Sequence, residues 1–165
     1  MGGAIALFWV SAAAAQEAMP TPRQVLAIDA AEVYADACAA CHGPRRDGRG
    51  PAASRLGRPA PRDFRSGVFK FRSTPTGSLP TDEDLYRTIS RGVPGTWMLE
   101  WASRLTPSER WALVAYIKGF SPLFDEQTPD PPVVLSAPPT ASPELVGEGR
   151  LVYAMLGCTQ CHGAR

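Results

Sequence analysis

Excess charge is almost absent from this chain: Lys+Arg 17 against Asp+Glu 16 leave a formal net charge of +1 over 165 residues. Such a balance gives no global pull toward nucleic acid or a membrane surface. Long hydrophobic runs are missing too, since the apolar stretch Ala4–Val10 is too short to cross a bilayer even with its flanking alanines. Histidine and cysteine are scarce, at 2 and 4 residues. Proline (17) and glycine (15) are abundant instead, which points to a loop-rich fold with little side-chain core of its own.

The scarce residues are all spent in one pattern. Cys38-Ala39-Ala40-Cys41-His42 and Cys158-Thr159-Gln160-Cys161-His162 are two copies of Cys-x-x-Cys-His, and they use every cysteine and histidine present. This is the attachment motif of haem c. Two thiols add across the porphyrin vinyl groups and the adjacent histidine faces the iron as its proximal ligand. Two other readings of Cys-x-x-Cys are a zinc site and a redox disulfide. Zinc needs its four ligands together, whereas these clusters lie far apart in the chain. A thioredoxin-like site sits between a strand and a helix and does not call for the histidine both times. Covalent haem would also supply the large apolar body that the loop-rich chain lacks.

Residues 1–18 read as an export segment. Ala4–Val10 is followed by Ser11 and a run of alanines, with Ala13 and Ala15 fitting the small-residue cleavage rule and the mature chain beginning near Gln16. No lysine or arginine precedes the apolar run, so the true start would lie upstream or be mis-set; an alanine-rich tail of a cytosolic protein is the alternative. Export to the periplasm agrees with haem attachment, and membrane association is expected only if the segment stays uncleaved.

Residues 24–121 look like one unit. Asp29 to Ala40 should be a helix running into the first motif, followed by a turn-rich stretch from Gly43 to Leu79. Thr81-Asp82-Glu83-Asp84 starts a helix that Gly92 and Pro94 end. Thr106-Pro107-Ser108-Glu109 is a capping box opening another, with an apolar face of Trp111, Leu113, Val114, Tyr116 and Ile117. Seven prolines between Pro122 and Pro143 mark 122–143 as an extended linker without a core. Residues 144–165 read as the start of a second unit, a helix over Glu144–Leu156 feeding the second motif.

Neither histidine is free to be a distal ligand, since each belongs to its own motif. Methionine is the usual alternative. Met1 and Met19 lie in or beside the export segment, and Met155 sits on the helix leading into Cys158. Met98 remains, on a loop between two helices. A thioether there favours ferrous iron and raises the reduction potential.

Cys38–His42, Gly50-Pro51, the Met98 loop and the closing helix Pro107–Phe120 together resemble a class I c-type cytochrome over about residues 24–121. The resemblance implies a mostly α fold, a small helical cytochrome c fold around covalent haem, followed by the first helix of a second such domain. It implies haem c at Cys38 and Cys41 and again at Cys158 and Cys161, with His42, Met98 and His162 on iron. It implies that the Pro51 carbonyl accepts from the His42 ring, and that the first and last helices pair Tyr34 with Trp111, Val114 and Tyr116. Trp97 and Trp101 are expected over the macrocycle. Leu99 stands where such cytochromes often carry proline. The second domain is only begun at Arg165, so the chain reads as a fragment whose second haem would lack a sixth protein ligand.

The function expected is one-electron shuttling, with no bond made or broken. The alternative is an electron-entry module of a larger haem-containing oxidoreductase. Ligand or peroxide chemistry would need an open iron site, which Met98 opposes. Basic residues from Arg45 to Arg72 face only Asp47 and Asp63; this run is a steering patch for an acidic redox partner, a source of propionate partners, or a solvated loop. Its lack of interleaved aromatics argues against nucleic acid.

Overall fold

A computed structural model describes residues 18–57 and 59–163. The expected export segment therefore lies outside the described residues, apart from Ala18. The chain divides after Val133 into two compact units. Every regular element among the described residues is helical.

The first unit is built from capped helices. In α1 (Pro22–Leu26) the Thr21 side chain accepts from the Gln24 amide. Asp29 caps α2 (Ala30–Ala37) by accepting from the amides of Ala31 and Glu32 at 3.0 and 3.1 Å. The expected continuous helix into the motif is instead two pieces: the backbone turns at Cys38 (φ −118°), which ends α2 and opens α3 (Ala39–His42). Helices α4 (Asp82–Arg91) and α5 (Pro107–Lys118) start at the two threonines read from the sequence. Both have full capping boxes, Thr81 with Asp84 and Thr106 with Glu109. Each such cap is worth about 1 kcal/mol.

Helix α5 is the centre of the packing and touches α1, α2 and α4. Leu113 and Val114 are 0% and 1% exposed, and they join Tyr34, Phe64, Leu85, Ile89 and Ile117 in one core. Burying a leucine of this kind contributes about 1.5–3 kcal/mol. Helices α2 and α5, which carry the two ends of the expected pairing, do meet, with the Tyr34 and Tyr116 rings 5.6 Å apart. Trp111 departs from expectation: its ring stacks on Tyr86 of α4 at 4.5 Å. One helix serves two neighbours here, so its aromatic residues divide between α2 and α4.

Residues 121–133 do not run free of this unit. Leu123–Glu126 forms the short helix α6, and Phe124 meets the Phe69 ring at 5.9 Å. The Asp130 amide donates to Ser78 Oγ at 2.9 Å and the Val133 amide to the Ser73 carbonyl at 2.9 Å.

The second unit contains α7 (Pro143–Met155), capped by Ser142, and α8 (Thr159–His162). Leu151, Val152, Met155 and Leu156 of this unit are exposed. No helix among the described residues is long and apolar enough to cross a membrane.

Candidate haem-binding site

The first Cys-x-x-Cys-His is a single turn of helix. The His42 amide donates to the Cys38 carbonyl at 2.9 Å and the Gly43 amide to that of Ala39 at 2.8 Å. Residues four apart on a turn share a face, so Cys38 and His42 lie on one side with Cys41 beside them. The following loop fixes the turn. Gly50 and Ala52 donate to the carbonyls of Cys41 and Ala40 at 3.1 and 2.9 Å. A Cβ at Gly50 would run into the carbonyls of Ala39 and Ala40, which is the physical reason for glycine at this point.

The ring of His42 is held on two sides. Its Nδ1 lies 3.0 Å from the carbonyl of Arg62, and Phe64 stacks on it at 4.4 Å with an interplanar angle of 19°. A carbonyl can only accept, so the proton belongs to Nδ1 and the Nε2 lone pair is left for a metal. Here the expectation for Pro51 is corrected. The carbonyl against the ring is that of Arg62, while Gly50 and Ala52, on either side of Pro51, seat the loop against the Cys-x-x-Cys turn. Burial pushes the His42 imidazole below its ordinary pKa, with the Arg62 carbonyl pulling the other way. Burial likewise pushes the Cys38 thiol up to about 11, and Cys41 adds to it.

Both cysteines are free thiols, as thioether formation requires. With Nδ1 occupied by an acceptor and Nε2 free, the donor set fits haem c at this turn. Among the described residues, no three His, Cys, Asp or Glu side chains gather as a metal cluster.

Met98 stands on a different loop, bonded to α4. Gly92 ends that helix at φ 63°. The Val93 amide then donates to the Met98 carbonyl at 2.9 Å, and the Met98 amide to Thr96 Oγ1 at 3.1 Å. Beyond it, Trp101 and Ala102 donate back to Ile89 and Ser90 of α4. Met98 is half-buried. Trp101 packs against the core, whereas Trp97 is 67% exposed.

The second motif repeats the backbone of the first. His162 donates to the Cys158 carbonyl at 3.0 Å and Gly163 to that of Thr159 at 3.0 Å. A further likeness escaped the sequence reading: Tyr34 Oη donates to the Gly43 carbonyl at 2.8 Å, and Tyr153 Oη to that of Gly163 at 3.0 Å. A tyrosine shortly before each motif was the available signal. The copies differ at the ring, because no described residue engages the exposed His162 imidazole as Arg62 engages His42.

The basic run is partly neutralised. Arg45 pairs with Asp47 at 3.2 Å and Arg65 with Asp63 at 2.7 Å. Arg72 donates to the carbonyls of Pro75 and Phe69.

A helical fold closed around a Cys-x-x-Cys-His turn defines a c-type cytochrome. Residues 26–117 match the family described as cytochrome C oxidase, cbb3-type, subunit III, and the chain belongs to that family. Membership implies covalent haem c and electron transfer. Among solved structures, the chain is similar to one in the Kuenenia stuttgartiensis reducing HAO-like protein complex Kustc0457/Kustc0458. The identity is 41% and the TM-score 0.77, over 82% of this chain and 61% of that one. It thus spans about three-fifths of that relative's length. The KustC0563 c-type cytochrome is 26% identical over 57% of this chain and 99% of its own, with a TM-score of 0.42. No curated protein matches.

Proposed function

We propose that this chain is a periplasmic electron-transfer cytochrome with two haem c sites. Cys38 and Cys41 hold the first group, with His42 and Met98 on its iron; Cys158 and Cys161 hold the second, with His162. The observation that carries the reading is the His42 Nδ1 contact with the Arg62 carbonyl at 3.0 Å, which fixes the tautomer and leaves Nε2 for iron. When bound, haem supplies the one-electron couple. The chain's own share is to orient His42, hold the thioether of Met98 on its α4-anchored turn, and exclude water through the Phe64 and Trp101 side of the core. No bond is made or broken.

The unpaired members of the Arg45–Arg72 run suit a redox partner that carries acids. A second reading, an electron-entry module of a larger oxidoreductase, is supported by the relative from the reducing HAO-like complex, whose chain is longer than this one.

The test is a haem count with optical spectra on protein exported from a host that attaches haem c, comparing wild type with Met98→Ala. Two covalent haems, one turning from low-spin to high-spin in the variant, are expected. An unchanged spectrum would remove Met98 from the iron.

A further inference from the structure

Arg46 is the one described residue other than glycine in the left-handed region, at φ 61°, and nothing in the haem chemistry above uses it. Its side chain turns inward. Nη2 donates to Tyr116 Oη at 2.9 Å, and the guanidinium lies over the rings of Phe120 at 4.4 Å and Tyr116 at 5.7 Å. Nε is buried without a hydrogen-bond partner. A cation stacked this way is attracted by the ring faces, so the guanidinium binds the turn after His42 to the end of α5.

The backbone of the same residue reaches the other way. The Arg46 amide donates to the Gly43 carbonyl at 3.0 Å, and its own carbonyl accepts from the Phe64 amide at 2.9 Å. Phe64 is the ring stacked on His42, and Arg62, two residues earlier, supplies the carbonyl at His42 Nδ1. We propose that Arg46 is a positioning residue for the iron-binding histidine. It clamps the turn to α5 and so fixes the segment that holds the Nδ1 proton. The left-handed backbone is kept by a long cationic residue because glycine would satisfy the turn but lose the clamp.

This inference rests on His42 being the proximal ligand. The test uses the haem-loaded full chain as wild type, Arg46→Gly and Tyr116→Phe, and reads solvent exchange of the His42 Nδ1 proton by NMR in the reduced state. Arg46→Gly relieves the backbone, so a purely conformational role predicts exchange as slow as wild type. The clamp predicts exchange faster by about tenfold or more in Arg46→Gly, and a smaller acceleration in Tyr116→Phe, with haem content unchanged. Wild-type exchange in both variants would overturn the proposal, whatever their melting temperatures. If Arg46→Gly does not retain haem, Tyr116→Phe decides alone. A wild-type chain without covalent haem, or a spectrum indifferent to His42→Ala, would instead defeat the underlying ligand assignment.

Discussion

The hydroxyl of Tyr34 donates to the carbonyl of Gly43 at 2.8 Å, inside the core, and so joins helix α2 to the residue that follows His42. Burial is the main force raising the tyrosine above its ordinary value, with Cys38 adding to it. A raised folded value means that the neutral phenol is favoured by folding. Its stabilisation is fully present below the unfolded value of about 10 and is lost as pH rises above it. Tyr34→Phe should therefore cost about 1 kcal/mol at neutral pH and flatten the alkaline decline, as followed by denaturant melts between pH 7 and 11. The loss is modest because the Gly43 carbonyl keeps the Arg46 amide.

Gly92 sets up the Met98 turn. Its φ is 63°, and a Cβ would meet the backbone of Met98, Leu99 and Glu100. Gly92→Ala should destabilise the fold by about 1–3 kcal/mol and convert part of the ferric haem to high spin, read in the visible spectrum. A wholly low-spin, equally stable variant would show that the turn does not hold Met98.

Gly48 plays the matching part beside His42. At φ 72° it lets the Pro61 carbonyl approach where a Cβ would stand, next to the Arg62 carbonyl. Gly48→Ala should weaken the Nδ1 contact and shift the reduction potential upward, since a less strongly hydrogen-bonded imidazole donates less to ferric iron. Potentiometric titration of the two proteins checks the sign.

Asp84 organises the approach to α4. It accepts from the Ser73 amide at 2.8 Å, Ser73 Oγ at 2.9 Å and the Thr81 amide at 3.1 Å. Burial opposes its charge, but these bonds prevail and hold the carboxyl below its ordinary range. A depressed folded value gives stability present above the unfolded pKa and lost as pH falls through the folded one. Asp84→Asn should cost about 1–3 kcal/mol at pH 7 and lose less between pH 5 and pH 2 than wild type in thermal melts.

What was legible in the sequence was local. Thr81 and Thr106 announced their helices because a cap and its partner lie three residues apart, and Cys38–His42 announced the c-type cytochrome family because its motif is confined to one turn. The partner of His42 was not legible, because any residue carries a carbonyl and only the path of residues 43–64 decides which one arrives. Pro51 was the position favoured by resemblance, yet its neighbours Gly50 and Ala52 bind the Cys-x-x-Cys turn and the carbonyl at His42 is that of Arg62. Arg46 was one of a basic run read as a steering patch, propionate partners or a solvated loop, because its aromatic partners Tyr116 and Phe120 lie on α5 and just after it, remote in sequence. Prolines after residue 121 suggested an extended linker without a core of its own, and nothing local signalled the bonds to Ser73 and Ser78.

Those bonds also bear on how the first unit is completed during synthesis. The amide of Val133 reaches back to Ser73, and Phe124 covers Phe69. A nascent chain that has emerged only as far as Phe120 already holds α1 to α5 but still leaves the 69–78 segment without its cover. Another dozen or so residues must follow before these contacts can form, so a unit cut at Val133 keeps a cover that one cut at the end of its last long helix lacks.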